Sequence, residues 1–271
     1  MRLSLTSWSL PSCTLQEAAG ISNALGIGAL DVGLFYRAAL DKALILNDPK
    51  AAAAGLADIG VAIPNYYHLF GQGLGGQNLA LPGTLEGNLR DLAPVLTFAD
   101  AAGIGTVFVL PGIVNPGQSR EDAARVSAES LREMVTLSHD FRATLCVEPH
   151  VHSWVESPAL VQELVAETGV RLVLDYAHFA CLGYRQDEID VLAPYAAHVH
   201  LRQARMGVLQ AKFGQGTLNF PAMFGTLRAA GYSGALAIEA VHQDYMNTLF
   251  DDVLTEVVAL RDCYNDWTGD R

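Results

Sequence analysis

Along this chain, short runs of apolar and β-branched residues alternate with longer stretches whose apolar positions recur at helical spacing. The short runs predict strands at 3–8, 29–35, 61–67, 105–110, 143–148, 171–175, 196–200 and 235–239. Helix signals fall between them. Thr14, with Glu17 three residues on, forms a capping box that opens a helix towards Leu25, and an alanine-rich helix is expected from about Asp48 to Asp58. Helical sequence runs from Leu89 to Ala102, with Pro94 in a first turn or at a kink. Ser119 caps a helix carrying Glu121 and Asp122 in its first turn, and Ser157 with Pro158 starts another that stops near Gly169. A short helical stretch follows Gln186, a helix runs from Pro221 to Ala230, and a last one from about Asn247 to Asp262.

Eight strands, each followed by helical sequence at roughly 34 residues per unit, predict an α/β fold, a (β/α)8 TIM barrel, as a single domain over 1–271. No Ser/Gly/Pro linker divides the chain. A doubly wound open sheet is the main rival, but the barrel better explains why polar residues gather after so many different strands. Phe70 to Asn88 is glycine-rich and long for a connection, which predicts a loop over the strand ends, a candidate lid. Its GQGLGG, Gly71 to Gly76, matches the dinucleotide pattern, yet Pro82 and Gly83 follow where a true fingerprint opens a helix. Nicotinamide binding is not expected.

Composition narrows the partners. With 51% hydrophobic and 17% charged residues the chain can bury a sizeable core, and a net charge of −12 with scattered Lys and Arg offers nucleic acid no footprint. The start, MRLSLTSWSLPSC, lacks a signal-peptide apolar region, and no run approaches a membrane span, so a soluble, cytoplasmic protein is expected. Cys13, Cys146, Cys181 and Cys263 are widely separated without CxxC, and Cys146 reads as a small hydrophobe within a strand.

The candidate chemistry lies at strand ends. In RLVLDYAHF, side chains at Arg171, Val173 and Asp175 share one strand face; Asp175 sits where the strand empties into a loop, and His178 follows. Three other strands end on Glu148, His200 and Glu239. Two Glu, one Asp and one His suit a hard or borderline divalent metal. The plainer alternative has the acids capping loops or pairing with Arg202 and Arg205. Three carboxylates in one barrel mouth repel unless a cation or shared protons sit among them, which favours a metal site. Of eight histidines, His68, His150, His152, His178, His198, His200 and His242 lie in or just after strands, and His139 at a helix end. Trp8, Phe35, Tyr36, Tyr66 and Tyr67, near the first three strand ends, suit either ring stacking or core packing.

The motifs VEPH at 147–150, LDYAHF at 174–179, HVHL at 198–201 and FGQGTLNFPAMFGTLRAAGYSGALAIE at 213–239 resemble the sugar phosphate isomerase/epimerase-like, or xylose isomerase-like, TIM barrels over nearly the whole chain. The resemblance implies one divalent metal, manganese, magnesium, cobalt or zinc, held by Glu148, Asp175, His200 and Glu239. It also implies that Glu148 and Glu239 act as catalytic groups on opposite faces of a substrate carbon, and that His178 touches substrate or a metal-bound water. Further substrate contacts are expected from His68, His150, Arg202 and Gln203. Relatives commonly carry lysine at Arg202 and an acid at Gln203, so HLRQAR departs from the usual substrate preference. Arg202 and Arg205 suit clamping a carboxylate or phosphate, or balancing nearby acids.

The expected function is isomerisation or epimerisation of a sugar, keto-sugar or polyol. The alternatives are a dehydratase or lyase acting on a keto-polyol or keto-glycoside and, from another class, a non-catalytic barrel that binds a polyol or protein partner. An abasic-site endonuclease is disfavoured, since the fourth strand ends Leu110, Pro111, Gly112 without a histidine. A serine hydrolase finds no support in GYSGA at 231–235. Relatives commonly assemble, so a homo-oligomer is an expected state.

Overall fold

The computed structural model describes residues 1–72, 76–242 and 252–269. Its strands are β1 (Arg2–Thr6), β2 (Leu30–Asp31), β3 (Asn65–Tyr67), β4 (Thr106–Val109), β5 (Thr144–Val147), β6 (Arg171–Asp175), β7 (Ala196–Leu201) and β8 (Ala235–Ile238). All pairings are parallel, in the order β2-β1-β8-β7-β6-β5-β4-β3. Bridges from Ala29 to Ala62 and from Val32 to Tyr66 join β2 to β3 and complete the ring, with Tyr67 N donating to Val32 O at 2.9 Å. This is the single (β/α)8 barrel that the sequence predicts.

Around it lie α1 (Leu15–Ala24), α2 (Lys42–Asn47), α3 (Pro49–Ala54), α4 (Leu85–Ala102), α5 (Arg120–Ser138), α6 (Pro158–Thr168), α7 (Tyr176–Cys181), α8 (Gln186–Asp190), α9 (Phe220–Ala229) and α10 (Val253–Thr268). No described helix is long and apolar enough to cross a membrane. The Thr14–Glu17 capping box forms as expected. The single helix expected from Asp48 is instead the second of two, because Asp48 is the C-cap of α2 and, with Pro49 behind it, the N-cap of α3. The loop expected after Asp175 is a correction too. β6 runs directly into α7, and Asp175 Oδ1 caps it by accepting from Ala177 N at 2.8 Å. The expected start of the last helix at Asn247 lies outside the described residues, as do residues 73–75 of GQGLGG.

The described part of the candidate lid is pinned to the barrel rather than free. Lys42 Nζ donates to Leu69 O and Gly71 O, Asn78 Oδ1 accepts from Ala80 N and Ile113 N, and Leu79 and Ala80 are buried.

Strand alternation sorts the core into two regions. Leu5, Val107, Leu145, Leu172, Leu174, Val199 and Leu236 face the helices, while Trp8, Tyr67, Phe108, Cys146 and Val173 pack inside the barrel. Deeper still is a polar layer. Ser4 Oγ donates to Asp31 Oδ1 (2.6 Å), Asn65 Nδ2 to Asp31 Oδ2 (3.1 Å) and Thr106 Oγ1 to Asn65 Oδ1 (2.7 Å), while His198 Nε2 lies 2.6 Å from Asp31 Oδ2. A wide opening of about 780 Å³ at the strands' N-terminal ends, lined by Arg2, Thr144, Arg171 and Ala235 among others, is the floor side of the barrel.

At the other end, Gly112 holds the turn after β4 at φ +91°, and a Cβ there would lie 2.6 Å from Ala80 N and 2.7 Å from Asn78 Oδ1. Gly112→Ala is expected to cost about 2 kcal/mol and to lower the melting temperature by roughly 4–8 °C. An unchanged melting temperature would show that this close approach does not set the turn.

Candidate metal centre and its cavity

Four strands deliver one group each to the C-terminal mouth. Glu148 follows β5, with its backbone N–H on Val109 O; Asp175 ends β6; His200 lies within β7; Glu239 follows β8, with its backbone N–H on Leu201 O. One ligand atom from each of Glu148, Asp175, His200 and Glu239 lies within 4.8 Å of the others, and all four residues are buried. His200 Nδ1 is 2.6 Å from Glu148 Oε1 and 3.5 Å from Glu239 Oε2. The edges of Phe108 and Trp8 flank the His200 ring, at centroid distances of 5.4 and 6.0 Å.

Crowding charges into this desolvated space displaces their proton affinities. Burial pushes Glu148 up to about 7, with Glu239 and Asp175 adding to the rise and His200 opposing it. Burial likewise raises Asp175 despite Arg202 beside it. Burial would raise Glu239 too, but Arg202, His200 and the Trp8 indole, whose Nε1 donates to Glu239 Oε1 at 2.8 Å, hold it below the usual carboxylate range. Burial disfavours charge on His200, yet Glu239 and Glu148 raise it to about 9. Hard carboxylate oxygens and one imidazole, close together and short of positive charge, fit a divalent cation.

Arg202, two residues beyond His200 and on the same strand face, reaches into this cluster. Its Nη2 lies 2.5 Å from Asp175 Oδ2, 3.2 Å from Glu239 Oε2 and 3.0 Å from His178 Nε2. His178 Nδ1 faces Val151 N at 3.3 Å, and burial, with Arg202 next, keeps the ring neutral. His150 donates from Nδ1 to Val151 O at 2.6 Å, its buried Nε2 has no hydrogen-bond partner among the described residues, and burial lowers the ring to about 4.

Beside the cluster is a cavity of about 340 Å³. Trp8, Phe35, Tyr36 and Tyr67 supply aromatic wall, Leu69, Leu110, Leu209 and Val241 aliphatic wall, and Glu148, His150, His178, Arg202 and Glu239 the polar groups. Tyr66 is the exception among the aromatics considered, since it faces Phe98 on the helix side.

Two expected substrate contacts are not brought to this cavity. His68 is buried behind the wall, with Nδ1 3.2 Å from Tyr66 Oη and the ring edge-on to Phe70; burial and then Lys42 lower it to about 3. Gln203 turns outward, because Arg202 before it points in. Its Nε2 donates to Phe213 O and Leu218 O, and its Oε1 accepts from Ala204 N and Leu218 N, so it braces the connection to α9. Arg205 and His152 are exposed and do not line the cavity. Sequence reasoning missed Asp31, whose Oδ2 stands 4.0 Å from His200 Nε2 beneath the cluster, and the Trp8–Glu239 hydrogen bond. The signal for Asp31 was an acid inside an apolar strand.

A search of curated proteins finds no match by sequence. Among solved structures, the fold superposes on an L-ribulose 3-epimerase with a TM-score of 0.75 and 16% identity, covering 98% of this chain and 94% of that one. It also superposes on a 3-keto-D-glucoside 4-epimerase from E. coli (TM-score 0.71, 16% identity, 97% and 100% covered) and on IolI with a bound zinc atom (0.73, 14%, 98% and 98%). These similarities establish the shared fold. The model of the xylose isomerase-like TIM barrel family matches residues 23–257, and this chain belongs to that family.

Proposed function

We propose that this chain is a divalent-metal-dependent isomerase or epimerase that moves a proton next to the carbonyl of a sugar, keto-sugar or polyol-derived substrate. The observation that carries this is geometric: Glu148 and Glu239 stand at one buried centre with Asp175 and His200, a ligand atom of each within 4.8 Å of the others. The carboxylates of Glu148 and Glu239 beside one carbon are suited to removing and returning its proton. The strands they follow, β5 and β8, are separated by two others in the sheet, so the two groups approach the central space from different sides. That arrangement suits proton removal from one face of a carbon and return at the other.

Manganese, magnesium, cobalt or zinc held by Glu148, Asp175, His200 and Glu239 would act as a Lewis acid on the substrate carbonyl. The remaining residues bind and shield. Trp8, Phe35 and Tyr67 present ring faces and edges to a carbon skeleton and keep water from the centre, and Arg202 with His178 supplies donors to substrate oxygens. The substrate class is supported by structural neighbours named as sugar epimerases.

Two outcomes are expected. Purified protein should carry about one divalent ion per chain, and Asp175→Asn, which keeps an N-cap acceptor for α7, should lose most of it while remaining folded by circular dichroism. No uptake of manganese, cobalt or zinc by the parent would remove the metal reading. Second, the loaded enzyme incubated with a ketose panel in deuterium oxide should place deuterium on the carbon next to the carbonyl without change of formula. Glu148→Gln and Glu239→Gln, checked for metal content, should each slow this by about 100-fold or more. An unsaturated product or a released leaving group would instead assign dehydration or lyase chemistry.

A further inference from the structure

We infer that Asp31 is a positioning residue for the metal centre: from beneath, it fixes the His200 ring so that Nδ1 faces Glu148 and Glu239 while Nε2 carries the proton. The inference rests on the metal reading above and extends it to a residue on the opposite side of the ring.

His200 has two distinct edges. Nδ1 lies among the carboxylates, whereas Nε2 is fully buried, has no hydrogen-bond partner among the described residues, and stands 4.0 Å from Asp31 Oδ2. An imidazole that gives one nitrogen to a metal keeps its proton on the other, and a carboxylate facing that proton sets both tautomer and ring angle. Among the described residues, Asp31 is the carboxylate within 4.0 Å of that edge.

Asp31 is itself immobilised. Ser4 donates to Oδ1 and Asn65 to Oδ2, and His198 Nε2 lies 2.6 Å from Oδ2, so β1, β2, β3 and β7 all contribute to holding one carboxylate still.

The test reads the tautomer directly and needs no substrate. Protein labelled with ¹⁵N-histidine and loaded with zinc should show His200, assigned by its absence from a His200→Gln spectrum, with a proton on Nε2 and metal-shifted Nδ1. Asp31→Asn should bind zinc about 10- to 100-fold more weakly in competition with a chromophoric chelator. Ser4→Ala, which strips one hydrogen bond but leaves the charge facing the ring, should stay within about threefold of the parent. A purely structural Asp31 would lower the melting temperature of metal-free protein and leave zinc affinity per folded molecule alone. A proton on Nδ1, or Asp31→Asn within about twofold of the parent, overturns the inference. If Asp31→Asn does not fold, Asp31→Ser is read by the same zinc competition, and an affinity within about twofold of the parent overturns the inference. A parent that takes up no metal overturns the underlying metal reading, a result distinct from a loaded parent indifferent to Asp31.

Discussion

Three carboxylates held within a few ångströms of one another, away from water, set the terms for everything at the barrel's C-terminal mouth. Their mutual repulsion in a low-dielectric space costs far more than any single packing contact contributes, so each must be answered by positive charge, a proton or a hydrogen bond. The chain answers with Arg202 against Asp175 and Glu239, His200 against Glu148, and the Trp8 indole against Glu239. The answer is uneven. Glu148 is left with a raised proton affinity while Glu239 is kept low.

The barrel turns this electrostatic problem into a stable arrangement by layering. Phe108, Tyr67, Cys146 and Val173 fill the interior below the acids, so the His200 ring stands on aromatic edges with little freedom to tilt. Below that, Ser4 and Asn65 donate to the Asp31 carboxylate inside the barrel, with His198 beside it. A polar layer, an aromatic layer and a charged layer follow one another along the strands because inward positions recur every second residue.

Much of this was legible in the sequence, for a physical reason. The rule that a barrel builds its site from strand ends made Glu148, Asp175, His200 and Glu239 stand out, and the four do converge. What was not read was parity. With Asn65 and Tyr67 facing in, His68 must face out; with His200 and Arg202 facing in, Gln203 must face out, although relatives commonly carry an acid at that position. Asp31 was passed over because its strand was read as an apolar run. The cap on α7 was missed because a strand that turns straight into a helix leaves no loop composition to see.

The bond between Trp8 and Glu239 spans 231 positions and lies where β1 meets β8, the seam at which the first strand of the chain receives the last. Glu148, Asp175 and His200 are all made earlier than Glu239, and Asp31 earlier still. During synthesis the set of four therefore stays incomplete until β8 has been made and paired with β1. Completion of the centre in this sense waits on closure of the ring.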